Sequence, residues 1–135
     1  MQEHLDQVTH NQNFHNCIDQ QFSGRFHDWK ITVLFYVAIH CLKALAAKKR
    51  INIGDTHYEI ERNVNPDRPH TVMPISRNAW NEYKALFNYS RTARYTGITD
   101  VTTFEIIMEI DHKHCLRHLE QFKKYIQGQG VVTGS

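Results

Sequence analysis

Residues 29–48 read WKITVLFYVAIHCLKALAAK, and their reading decides the fold. On a helical wheel apolar residues occupy nearly every face, yet His40 and Lys43 interrupt the run, which suits the central helix of a soluble protein better than a membrane span. A rod that is apolar all round needs neighbours on every side. Asp28 is placed to be its N-cap, because a carboxylate there accepts a backbone N–H, and the helix should run to about Lys49. Lys48, Lys49 and Arg50 suit the negative end of the helix dipole.

The flanking sequence supplies the neighbours. From Glu3 to Phe22, the residues Leu5, Val8, Phe14, Ile18 and Phe22 form an apolar stripe among polar residues, closed by Ser23 and Gly24. After a loop at Asn52, Gly54 and Asp55, the segment His57 to Asn63 predicts a short helix before Pro66, Pro69 and Pro74. Ala79, Trp80, Tyr83, Leu86, Phe87 and Ala93 recur at helical spacing between Ile75 and Tyr95, and Gly97 supplies a stop. Thr102 and Glu105 match a capping box for a last helix, with Val101 and Ile106 placed as a hydrophobic staple, and that helix should persist to about Gln127. Strand-like alternation is short or absent. The expectation is an all-α compact bundle of four principal helices with an additional short helix. Residues 1–127 should form a single domain, followed by a flexible tail over residues 128–135.

Composition narrows the function classes. At 135 residues the chain can bury a real core, and a formal charge of +2 is too mild to mark a nucleic-acid binder by itself. Ten histidines would make the protein clearly cationic at mildly acid pH. Cys17, Cys41 and Cys115 are odd in number and sit beside apolar helix positions, which favours reduced thiols and a cytoplasmic setting. The polar start MQEHLDQVTHNQNF lacks the features of a signal peptide, so export is not expected. With neither a Gly-rich phosphate loop nor a serine nucleophile elbow, no cofactor is expected. His114 and His118 lie one turn apart beside His112 and Cys115, but two ligands do not close a metal site, and a surface role is the simpler reading.

The pattern formed by Phe35, Tyr36, Ala38, His40 and Ala44, followed by His57 and then by SRTARY at residues 90–95, resembles HEPN-domain proteins over roughly residues 26–125. The resemblance implies a small helical bundle, a homodimer, and participation in prokaryotic defence, toxin–antitoxin systems or RNA- and nucleotide-associated regulation. In ribonuclease members an Arg followed some four to six residues later by His carries a metal-independent cut, His moving protons and Arg stabilising phosphate charge. Here Thr99 and Asp100 stand where a His would follow Arg94. Arg50 and His57 do keep a six-residue gap, although it crosses an expected helix end. The implied function is therefore a non-catalytic or diverged module that binds a protein or RNA-associated partner. The alternatives are a ribonuclease with a dimer-interface site, drawing its catalytic residues from His40, His57, Arg50 and Arg94, and a structural partner of a nucleotidyltransferase.

The residues themselves suggest where binding occurs. Extending the stripe of Tyr83 and Phe87 carries it through Ser90 and Arg94 toward the interior, and Asp111 interrupts the apolar stripe of the last helix. A buried polar cluster of His40, Arg94 and Asp111, with an Arg94–Asp111 ion pair, would satisfy those charges. Among the aromatic residues Trp29, Tyr36, Trp80, Tyr83, Tyr89 and Tyr95, most fit the core. Tyr89, Arg91, Arg94 and Tyr95 are the best candidates for an exposed recognition edge, which Arg62, Arg68 and Arg77 could extend.

Overall fold

In a computed structural model, residues 1–95 and 101–132 are described, the side chains of Tyr95 and Val101 excepted. The described chain is all-helical: α1 (Gln2–Gln21), α2 (His27–Lys48), α3 (His57–Val64), α4 (Arg77–Tyr95) and α5 (Val101–Gly128). Four are long and α3 is short. The expected stops and caps at residues 96–100, Gly97 among them, lie outside the described residues.

As its composition requires, α2 is enclosed: it packs against α1, α4 and α5, and Ile31, Leu34, Val37, Ala38, Leu42 and Leu45 are buried. It is the one described helix long and apolar enough to cross a membrane, and most of it is covered by its neighbours. Against it, α4 sets Trp80, Tyr83 and Leu86, while α5 sets Met108, Cys115, Leu119, Phe122 and Ile126. These are the stripes expected from the sequence. The aliphatic, Met and Phe side chains among them each contribute about 1.5–3 kcal/mol when removed from water.

Local details depart from the expectation. Phe26, in the left-handed region with φ of 60°, is the N-cap of α2 and supplies no side-chain cap bond. Asp28 sits instead in the first turn, where its carboxylate still faces the positive end of the dipole. Thr102 lies inside α5, which already includes Val101. Cys17 is exposed, whereas Cys41 and Cys115 are buried free thiols. The segment after α5 does not simply trail off: Lys48 Nζ donates to the Gln129 carbonyl at 2.8 Å and Val131 is buried. Residues 133–135 lie outside the described part.

Candidate functional site

α3 presents the first element of the site. Asn52 Oδ1 accepts from the Gly54 N–H, and the Thr56 hydroxyl accepts from the Glu59 N–H at 3.1 Å while donating to the Glu59 carboxylate at 2.9 Å. This Thr56 N-cap fixes His57 as the first helical residue. Its imidazole lies flat on the Phe87 ring of α4, with centroids 3.4 Å apart and planes 10° from parallel. The Arg91 guanidinium approaches the same ring, 5.7 Å from its centroid. Lys84, Phe87 and Arg91 are three and four residues apart, so they share one face of α4.

Burial first, then the positive charge of Lys84 and Arg91, holds the His57 pKa below the ordinary imidazole value, with Glu61 acting in the opposite direction. At neutral pH the ring is uncharged. Its Nδ1 is buried without a protein hydrogen-bond partner. Around the cluster, Tyr58 is 63% exposed with Arg62 over its ring, and Tyr36 is 46% exposed beside Phe35, which packs against Phe87. The other sequence candidates at this edge are neutralised: Arg68 pairs with Glu61 and Arg77 with Asp67.

The remaining candidates are distributed elsewhere. His40 Nδ1 meets His4 Nδ1 at 3.1 Å, next to a cleft of about 400 Å³ lined by His4, Lys43, Arg50 and Asp55. Arg50 has a left-handed backbone, φ 57°, where α2 ends. Arg94 Nη1 donates to the buried Ser90 Oγ at 2.6 Å and borders a second cleft of about 340 Å³ with Asp28, Trp29 and Thr32. Trp29 is 61% exposed, so this ring belongs to the surface, while Trp80 and Tyr83 belong to the core.

Among the described contacts, His40 meets His4 and Arg94 meets Ser90, and no ion pair joins Arg94 to Asp111, so the expected polar cluster of the three is not seen there. Burial, opposed by His114, raises the Asp111 pKa. Asp111 also helps to raise the pKa of Tyr89, after burial, and the Tyr89 hydroxyl shares a hydrogen bond with His114 Nδ1 at 3.1 Å. That partly buries Tyr89 on α5 and removes it from the recognition edge. The Tyr95 side chain lies outside the described residues. Of the two remaining arginines of the edge, Arg91 joins His57 and Arg94 faces the Trp29 cleft.

His118 is paired with Glu82, and His112 is buried, so these histidines are not the surface set expected from the sequence. Among the described residues no group of three His, Cys, Asp or Glu side chains is arranged to hold a metal ion. Lys84, not among the residues expected from the sequence, belongs to the same site, and its helical spacing to Phe87 and Arg91 is the signal for it. Chemically, the α3–α4 cluster offers two cations to phosphate, exposed rings to unpaired bases, and one neutral imidazole.

No protein-family model matches the chain, and neither a curated protein nor a solved structure is detectably similar to it.

Proposed function

We propose that this protein is a HEPN-like module that binds single-stranded RNA through the His57, Lys84 and Arg91 cluster, with Tyr36 and Tyr58 as stacking surfaces. The observation that carries the reading is the seating of His57 and Arg91 on one Phe87 ring, with Lys84 close enough to depress the imidazole's pKa. Cations hold phosphates irrespective of sequence, and exposed rings accept any unpaired base. Binding without cleavage follows from the inventory: cutting at a 2′-hydroxyl benefits from both a base and an acid, and the cluster has a single imidazole. On this reading the protein acts in the cytoplasm as a homodimer, within prokaryotic defence, a toxin–antitoxin pair or a related regulatory system.

Fluorescence anisotropy with a labelled single-stranded RNA tests the proposal. Affinity should fall steeply with added salt, and Arg91→Ala and Lys84→Ala should each reduce the log–log salt slope by about one phosphate contact. Wild-type protein that binds no RNA at low salt, or variants that keep the full slope, would refute it.

A ribonuclease is the second reading, favoured by the neutral state of His57, which suits a general base. Cleavage of RNA in chelator, lost in His57→Ala but not in His40→Ala, would establish it over simple binding.

A further inference from the structure

α1 is held to the rest of the bundle in an unusual way. Its fully buried side chains are Val8 and His15; Leu5 packs against the core beside them, and the remaining ties are polar, among them Asp19 with Lys30 and Gln12 with Lys123. His15 Nε2 meets His112 Nε2 of α5 at 2.8 Å, and both rings are buried. Three turns earlier on the same helix, His4 Nδ1 meets His40 Nδ1 of α2 at 3.1 Å. A third buried imidazole, His27 of α2, lies 5.4 Å from the His112 ring, and both of its nitrogens lack a protein partner.

An imidazole pair joined nitrogen to nitrogen needs a lone pair on one side and a proton on the other. When both rings are protonated the acceptor is gone, and two positive charges face each other. The surroundings offset part of that charge: Asp19, Glu105 and Glu109 favour protonation, and Lys30 opposes it. On α2, Lys30 is fully buried, and its ammonium donates to Asp19 Oδ1 of α1 at 3.0 Å and to the Phe22 carbonyl at 2.7 Å, so the Asp19 carboxylate is already engaged. Glu105 and Glu109 of α5 face His27, and Asn16 Oδ1 is hydrogen-bonded to His15 Nδ1. At the other pair, Lys43 and the amino terminus oppose protonation, while Glu3 and Asp55 favour it.

We propose that the His4–His40 and His15–His112 pairs, with His27 beside the second, are a proton-operated latch that holds α1 on the bundle at neutral pH and releases it on acidification. Burial, then the neighbouring His15, lowers the His112 pKa to about 4, with His27 and Lys30 acting in the same direction and Asp19 against them. Burial likewise lowers His4, His27 and His40. Each of these four rings takes up a proton more readily with α1 detached, so acid pulls the equilibrium toward detachment. The α2, α4 and α5 core also contains the His27–His112 contact and the His118–Glu82 pair, but its buried apolar side chains, Leu42, Leu86, Phe122 and Ile126 among them, keep it assembled on this proposal. Release uncovers the apolar side of α2 that α1 shields.

Hydrogen–deuterium exchange by mass spectrometry, in chelator and corrected for the intrinsic pH dependence, tests this on the full chain between pH 7.5 and pH 4.5. Peptides from α1 should lose protection at least about tenfold across this range, while those from α2, α4 and α5 retain theirs. His112→Leu should move the α1 transition to lower pH, and His4→Phe provides the same test if the first variant does not fold. Retention of α1 protection to pH 4.5 overturns the proposal. So does loss of protection in all helices together, or an α1 transition that both substitutions leave at its original pH.

Discussion

Replacing Tyr83 by Phe should stabilise the protein. The ring is fully buried, with Trp80, Phe35 and Phe122 centroids at 5.5, 5.6 and 5.9 Å, and its hydroxyl has no protein hydrogen-bond partner. Burial drives the phenol pKa upward, the signature of an oxygen stripped of water with nothing in exchange. An unsatisfied buried polar group costs about 1–3 kcal/mol, whereas the ring contacts survive the substitution. A small void left by the oxygen subtracts from the gain, so Tyr83→Phe should contribute about 1 kcal/mol of stability. In urea unfolding followed by far-UV circular dichroism, a slope of roughly 1.5 kcal/mol/M converts this to a midpoint about 0.7 M higher with the slope unchanged. Thermal melting should rise by about 3–5 °C. A lower midpoint would refute the reasoning and reveal a partner for the hydroxyl, a trapped water being the simplest. Since the Tyr83 ring also lies parallel to His57 with centroids 6.1 Å apart, RNA affinity should be unaffected unless the hydroxyl serves that site.

Gly54→Ala should destabilise by more than about 1 kcal/mol, because Gly54 has φ of 94° and an added Cβ would collide with the Glu59 side chain; a chemical melt and a weakened RNA affinity, through loosening of the His57 cap, are the readouts. Ellman's reagent should titrate one thiol per folded chain quickly, that of exposed Cys17, because burial pushes Cys41 and Cys115 up to about 12; rapid reaction of all three in native buffer would contradict the packing. For His112 the folded pKa of about 4 lies below the unfolded value of 6.5, so the unfolded chain binds more protons between them. Its share of stability, about 3 kcal/mol, is complete above pH 6.5, is lost as the pH falls toward 4 and changes no further below that. Urea midpoints of wild type and His112→Leu at pH 7.5 and 4.5 should differ accordingly, the variant losing less on acidification.

Much of the bundle was legible because apolar spacing reports directly on burial. The run from Trp29 to Lys48 required covering on all sides and received it, and the stripe from Met108 to Ile126 faces inward. Helix ends were less legible. Phe26 takes a left-handed cap that no side chain announces, and Asp28, the expected cap, is the second residue of the helix. The site was half visible: Lys84, Phe87 and Arg91 share a helical face by spacing alone, but their meeting with His57 depends on the path of the loop before α3. Least visible were His15, His27, Lys30 and His112. Polar residues normally signal surface, and only three-dimensional convergence from separate helices shows when they gather inside.

The enclosure of α2 has a consequence for synthesis. Its apolar sides are completed only when α4 and α5 arrive, and roughly 80 residues separate its end from that of α5. At about 5–20 residues per second the ribosome needs roughly 4–16 s to deliver them. For that interval a newly made, strongly water-avoiding segment carrying Phe35, Leu42 and Leu45 has only α1 for shelter. Nascent-chain chaperones should therefore crosslink most strongly to this segment, and the contact should vanish once α5 has cleared the exit tunnel.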